Sequence, residues 1–123
     1  MAKAPAFQFY ASDWRSDGTV SLMSLEEEGA FIRLLAFAWL EGSIPADSAT
    51  RAKVLRVTKR KADALWSSVL SGLFVPNEDG DGLVNPRQEE QRREYEVLRK
   101  QKSKAGKASA LARATSVEQE ANR

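Results

Sequence analysis

Cysteine and histidine are both absent from this 123-residue sequence. Without cysteine there is no disulfide framework, thiolate nucleophile or cysteine-ligated zinc site. Without histidine there is no imidazole base, no Ser-His-Asp triad and no histidine-ligated metal. Catalysis would have to use carboxylates, lysine, tyrosine or hydroxyl groups, and no positioned set of these is visible. We therefore expect no enzymatic activity, no catalytic residues, no metal and no cofactor.

Long apolar runs are absent as well. The most apolar stretch covers residues 34–40 and is far shorter than the ~20 residues needed to cross a bilayer. The N-terminus carries one lysine and no apolar segment of the kind found in signal peptides. These features predict a cytoplasmic protein with no membrane partner and no small-molecule substrate. The length and the 42% hydrophobic content suit one modest core.

Charges of the two signs are nearly balanced but are segregated along the chain. There are 19 Lys+Arg against 17 Asp+Glu, which gives a formal net charge of +2. Residues 13–47 carry seven acids and two bases, whereas residues 51–61 and 99–113 each carry six bases and no acid. Clustered bases focus a positive potential whatever the total charge, and their commonest partner is an anionic polymer. A solvated basic surface is the alternative.

The first long helix is predicted from Leu25 to about Glu41. Ser24 and Glu27 form a capping box at its start, the acids of its first turn suit the helix dipole, and Gly42 ends it. Beyond the first turn its surface is apolar on most sides. Such a helix is buried on most sides, so it must be central in this small protein or must meet a partner.

Two more helices follow a break at Ile44 and Pro45. The first is predicted from about Ala49 to Leu55 or Arg56, and after a tight turn Thr58 caps the second, which should extend from Lys59 to about Ser71. Apolar side chains in the second helix recur at spacing i, i+3, i+4 and i+7, which is typical of a stripe that faces the core: Ala62, Leu65, Trp66 and Val69.

A hairpin follows. Residues 73–76 and 83–84 are predicted as short strands, and residues 77–82 are predicted as the turn between them. This turn partly matches an EF-hand loop, but Gln88 stands where the bidentate glutamate belongs. We therefore interpret it as a polar hairpin tip. Its acids weaken the case for phosphate contact there.

The two ends of the chain are predicted from composition. An aromatic cluster is expected to form a short strand or an extended arm that covers the core, base stacking being the alternative: Phe7, Phe9, Tyr10 and Trp14. Asn85 and Pro86 should start a charged helix that runs from Arg87 to about Lys104. Residues 105–123 are expected to be disordered when free. Together, the predicted elements indicate a winged-helix-like domain over residues 1–86, followed by an extended helix and basic tail over residues 87–123.

The order of elements is that of a winged helix-turn-helix. The predicted fold is mainly α with a small β-hairpin, a long C-terminal helix and a basic tail. In a helix-turn-helix the second helix enters the major groove of DNA while the first crosses the backbone. The predicted DNA-binding residues belong to this pair: Arg51, Lys53, Arg56, Lys59, Arg60, Lys61 and Ser67. Bases of the tail are predicted to add nonspecific phosphate contacts: Arg99, Lys100, Lys102, Lys104 and Lys107.

Four segments together resemble the family of YdaU-like domains, which is common in prophages and bacterial genomes. They are FQFYASDWRSD, LMSLEEEGAFIRLLAFAW, IPADSAT with VLRVTKRKADALW, and GLVNPRQEEQRREYE, and the resemblance covers about residues 7–107. It implies a winged-helix-like domain of the kind found at the front of phage replication or primosome-type proteins. It implies no known enzymatic activity.

Two functions are compatible with these features. The first is a DNA-binding module associated with replication initiation or its regulation. The second is a protein-interaction adaptor, in which the apolar first helix or the helix after Pro86 docks on a replication protein, a phage partner or a second copy of the chain.

Overall fold

The computed structural model describes the backbone of residues 6–121 and the side chains of residues 6–113. The described residues are mainly helical. Their helices are α1 (Ala11–Ser16), α2 (Gly18–Ser21), α3 (Leu25–Glu41), α4 (Ser48–Leu55), α5 (Lys59–Ser68), a 3-10 helix (Leu70–Leu73) and α6 (Pro86–Ala121). Their strands are β1 (Ile44–Pro45), β2 (Val75–Pro76) and β3 (Gly82–Val84). Two compact units, Met1–Gln91 and Arg92–Arg123, are distinguished by their internal contacts.

The central element of the first unit is α3, whose bounds are those predicted. The Ser24 amide donates to Glu27 Oε1 at 2.8 Å and the Glu27 amide donates to Ser24 Oγ at 3.1 Å, so the capping box forms as expected. Gly42 ends the helix in the left-handed region, with φ of 96°. Leu34 and Ala38 have no exposed surface. The helix is thus buried along a wide face by its own chain.

Helices α4 and α5 begin at side-chain caps. The Asp47 carboxylate accepts hydrogen bonds from the Thr50 hydroxyl at 2.7 Å and the Thr50 amide at 2.9 Å, and these bonds lower the pKa of Asp47. Thr58 Oγ1 accepts from the Lys61 amide at 3.2 Å, which confirms the predicted cap. Each cap satisfies an amide that the first turn of a helix leaves unpaired.

The second helix of the pair is shorter than predicted. It ends at Ser68, and the chain tightens into the 3-10 helix instead of continuing to Ser71. Leu70, which a straight continuation of α5 would place at the side of the apolar stripe, is fully buried as a result. Burial of this leucine therefore outweighs the extra turn of α-helix, and propensity alone could not show it.

The small sheet has three antiparallel strands in the order β1-β3-β2, one more than the predicted hairpin. Ile44 pairs with Leu83, and Val75 pairs with Val84. The break expected at Ile44 and Pro45 is therefore also an edge strand. Gly82 is favoured at this crossing, because a Cβ there would lie 2.4 Å from the Ser43 hydroxyl oxygen and 2.9 Å from Ser43 Cβ.

The N-terminal aromatic residues form an arm and not a strand. Residues 6–10 have no regular secondary structure, and Trp14 lies in α1. The Phe7 ring lies 5.6 Å from that of Trp39, and the Trp14 ring stacks on Phe31 at 5.3 Å. Both side chains pack on the core as predicted, while Phe9 and Tyr10 remain half exposed.

The last helix, α6, extends much further than Lys104. Asn85 Oδ1 accepts from the Gln88 amide at 3.0 Å, and Pro86 takes the first helical position, as expected. Residues 105–121, for which the sequence predicted disorder in the free chain, belong to this helix, and residues 122–123 lie outside the described residues. Residues 98–113 contain no proline or β-branched residue and many alanines, so helix propensity is high over most of the stretch, with Gly106 as the exception.

Despite its length, α6 is polar. Among residues 6–121, no helix combines the length and apolar character needed to cross a bilayer.

Replacement of Trp39 by alanine tests the central position of α3. The indole is 3% exposed. We expect the free energy of unfolding to fall by about 3–5 kcal/mol, because a large cavity is left. Chemical denaturation measures this change. Leu22→Ala is the control, since Leu22 is 87% exposed and its loss should change stability by less than about 0.5 kcal/mol. Equal effects of the two substitutions would contradict the assignment.

Candidate nucleic-acid interface

Helices α4 and α5 are joined by three residues, 56–58. Arg56 ends α4 in the left-handed region with φ of 62°, and its amide donates to the Lys53 carbonyl at 3.2 Å. Thr58 then starts α5 as its N-cap. A left-handed residue followed by an N-cap reverses the chain within a few residues, so the two helices pack closely.

The outward face of α5 is small and polar. Ala62 and Leu65 are buried, which places Arg60, Ala64 and Ser67 on the exposed side, as their spacing predicts. Alanine and serine side chains leave room for a surface to approach the helix closely. Arg60 stands at the N-terminal end of this face with its side chain exposed.

Two bases of α5 are paired with acids on the surface. Lys59 Nζ lies 3.0 Å from Asp63 Oδ2, one turn along the same helix. Lys61 Nζ lies 2.9 Å from Glu26 Oε2, in the first turn of α3. Exposed pairs of this kind contribute little to stability, so both lysines can exchange their partner for a phosphate at small cost.

The position of Arg51 corrects a prediction. Its side chain is 7% exposed, whereas a phosphate contact needs an exposed guanidinium. Nη1 donates to the backbone carbonyls of Pro45 at 3.2 Å and Ala46 at 2.5 Å, and the guanidinium lies 4.0 Å above the Trp66 ring. Arg51 therefore braces α4 against the β1 segment and α5 and is removed from the candidate interface.

The electrostatics of Arg51 agree with this role. Burial lowers the pKa of its guanidinium, while the nearby carboxylates of Asp63 and Asp47 act to raise it. An arginine stays protonated even so, and a buried cation needs hydrogen-bond acceptors. The two carbonyls and the indole face supply that compensation.

The sequence held a signal for the burial of Arg51. It precedes Val54 by three residues and Leu55 by four, which puts it on the apolar face of α4. Lys53 lies on the opposite face and is exposed. Arg51 and Lys53 carry the same charge, but their helical positions put them on opposite faces of α4.

The exposed bases of the pair are those predicted, apart from Arg51: Lys53, Arg56, Lys59, Arg60 and Lys61. The predicted DNA-binding residues therefore lie on α4, α5 and the turn between them, and among them Arg51 faces the core.

The predicted tail residues lie on α6 and are exposed: Arg99, Lys100, Lys102, Lys104 and Lys107. Because α6 continues past residue 104, Lys100, Lys104 and Lys107 share one helical face at spacing i, i+4 and i+7. Arg99 lies on another face, 4.0 Å from Glu96. The helix thus places these three lysines along one side of the basic segment.

The tip of the hairpin is closed by its own side chains. Asn77 Nδ2 donates to Asp81 Oδ1 at 2.9 Å, and the Asp81 amide donates to Asn77 Oδ1 at 3.2 Å. This is the polar tip that the sequence predicts. In the described part of the chain, no group of three or more acidic, histidine or cysteine side chains is placed to hold a metal ion.

Comparison with known proteins assigns the family. A profile described as "Protein of unknown function (DUF1376)" matches residues 5–92. The chain belongs to this family. This profile and the following relative together confirm the resemblance to YdaU-like domains. "Uncharacterized protein YdaU" of Escherichia coli (strain K12) is 35% identical over 116 residues, which cover 92% of this chain and 38% of that protein.

The DUF1376 chain therefore spans well under half the length of that relative. No solved structure matches it.

Replacement of Arg51 by alanine tests whether this side chain stabilises the fold. We expect a loss of about 2–4 kcal/mol in the free energy of unfolding, because charged hydrogen bonds and a cation–π contact disappear together. Lys53→Ala on the exposed face of α4 is the control and should change stability by less than about 0.5 kcal/mol. Thermal or chemical denaturation measures both. Similar stability of the two variants would show that Arg51 is not a brace.

Proposed function

We propose that residues 25–84 form a winged helix-turn-helix and that the chain acts as a DNA-binding module. The order α3, β1, α4, α5, β2, β3 supports this proposal, as does the three-residue connection between α4 and α5. In such an arrangement α5 is the helix presented to the major groove, and α4 lies across the backbone.

The distribution of exposed charge is the observation that carries the proposal. Five exposed bases lie on α4, α5 and the turn between them: Lys53, Arg56, Lys59, Arg60 and Lys61. The accompanying acids, Asp63 and Glu26, are engaged with Lys59 and Lys61. Phosphates are therefore the expected partners of this surface, with Arg60 and Ser67 nearest to the base edges.

The hairpin of β2 and β3, which would be the wing of this fold, has a smaller part in the proposal. Its tip carries Glu78, Asp79 and Asp81, which phosphates would repel. We therefore assign the contacts to α4 and α5, with the bases of α6 adding affinity that does not depend on DNA sequence. Association with replication initiation, in a prophage or bacterial setting, rests on the resemblance to domains of phage replication proteins. Helicase-loader or phage replication genes beside this gene would support it.

The double substitution Arg60→Ala and Lys61→Ala tests the surface. Duplex binding should weaken at least about tenfold at low salt, and the dependence of log K on log salt should become shallower by about 2. Both side chains are exposed, so thermal stability should stay nearly unchanged. Fluorescence anisotropy with a labelled duplex, at several salt concentrations, measures the affinity.

Arg15→Ala combined with Arg87→Ala is the control for this experiment. It removes the same charge from exposed positions outside α4 and α5. Its effect on affinity should be much smaller. Absence of duplex binding at low salt, or binding that does not fall as salt increases, would overturn the proposal. A large drop in melting temperature of the Arg60 and Lys61 variant would mean that the facing of α5 is wrong.

Arg56 allows a second test, because its backbone and side chain have opposite effects. A non-glycine residue in the left-handed region costs about 1 kcal/mol, and glycine does not incur this cost. Arg56→Gly should therefore raise the free energy of unfolding by roughly that amount while weakening duplex binding. Denaturation and anisotropy measured on the same preparation check the two changes. Equal duplex affinity would remove Arg56 from the interface.

A protein-interaction adaptor is the second candidate function. Leu22, directly after α2, and Leu25, the first residue of α3, are each 87% exposed, and these apolar side chains favour the adaptor. The wide apolar face of α3 is covered by the chain itself and is not available for docking. Light scattering separates the candidates. A strict monomer whose Arg60 and Lys61 variant still binds its protein partner would favour the adaptor.

A further inference from the structure

A cavity of about 230 Å³ lies within the first unit, between the N-terminal arm and the start of α6. Aromatic rings of the arm, α1 and α3 form much of its wall: Phe7, Phe9, Tyr10, Trp14 and Phe31. Aliphatic side chains complete the apolar lining: Val20, Leu35 and Leu73. The space is smaller than a typical site for a drug-sized molecule, so it suits one small ring system.

Gln88 is a polar side chain in the wall of this cavity whose oxygen lacks a hydrogen-bond donor within the described structure. It forms part of the wall, and its side chain is 3% exposed. Its Nε2 donates to the Leu35 carbonyl at 2.7 Å, which fixes the amide orientation because the opposite orientation would bring two oxygens together. Oε1 then has no hydrogen-bond partner among the described residues. A buried acceptor without a donor is costly, and a suitable donor would bind it favourably.

Four other polar side chains of the wall are already paired. Asn85 donates to the Leu73 carbonyl at 2.8 Å and accepts from the Gln88 amide. Asp17 caps α2, and Arg87 Nη2 lies 3.0 Å from Asp13 Oδ2 with both side chains more than half exposed. In the part of the chain whose side chains are described, Gln88 Oε1 is the buried acceptor left for a ligand to recognise.

We propose that this cavity binds a small, neutral, planar aromatic molecule that carries one N–H or O–H donor. The ring system would pack among the aromatic side chains, and its donor would bind Gln88 Oε1. Aromatic contacts and a single directional hydrogen bond together define this ligand class. This site is separate from the bases of α4 and α5 and does not depend on DNA binding.

We expect the arm to provide the access. Gln88 Oε1 is covered by surrounding side chains, so the donor must reach it by displacing some of them. Residues 6–10 have no regular secondary structure and hold Phe9 and Tyr10 half exposed. These two rings can rearrange at lower cost than the buried side chains of α3.

Indole and benzofuran provide a matched pair of probes, because they have nearly the same shape and only indole has an N–H donor. Each is titrated into the ¹⁵N-labelled full chain, and the affinity and position are read from amide shifts. We expect indole to bind at least about tenfold more tightly, the value of one hydrogen bond to a buried acceptor. The shifts should concentrate at residues 7–20 and 85–91.

Two variants test whether Gln88 causes the preference for indole over benzofuran. Gln88→Met removes the acceptor and should abolish the difference between the probes. Gln91→Met makes the same chemical change elsewhere in the wall and should preserve it. Equal affinities in the unaltered chain, no binding of either probe, or shifts outside the cavity would overturn the proposal. If Gln88→Met does not fold, the comparison of the two probes on the unaltered chain decides.

Discussion

The burial of α3 is the constraint on which the rest of the first unit depends. Three neighbouring segments are tied to this helix by specific contacts. Arg33 donates to the Leu55 carbonyl at the end of α4, Gln88 donates to the Leu35 carbonyl, and Trp14 donates to Glu28 and stacks on Phe31. A helix that is apolar over a wide face can be stable in water only when its chain surrounds it, and the short elements around α3 provide that cover.

A second organising feature is the division of the bases between the inside and outside of the helix pair. Arg51 connects two carbonyls to the Trp66 ring, and Trp66 packs 5.8 Å from Phe74 in the core. This arrangement holds α4 and α5 at a fixed position relative to the β1 segment. The exposed bases Arg56 and Arg60 thereby lie on elements that are anchored to the core, an arrangement that the proposed contact with a phosphate backbone would use.

Much of this organisation could be predicted because it is local. The capping box at Ser24, the Thr58 cap and the Asn85 start of α6 each depend on residues within one helical turn. Strand β1 and the 3-10 helix, which local patterns do not predict, have a different origin. Strand β1 forms because Ile44 meets Leu83, and the 3-10 helix forms because Leu70 finds space in the core. Neither partner is near in the sequence, so no local pattern reports it.

The sequence by itself determined the helix caps, the central amphipathic helix, the basic character of α4 and α5 and the absence of cysteine and histidine chemistry. It did so because these properties follow from residue type and short-range spacing. Residue spacing also placed Arg51 on the apolar face of α4, but only the tertiary structure decided which groups compensate its charge. Arg51 is turned inward because two carbonyls and an indole compensate its buried charge, and Gln88 Oε1 is left without a donor because the Leu35 carbonyl fixes its amide. Such balances between desolvation and partner geometry exist only after the chain has folded.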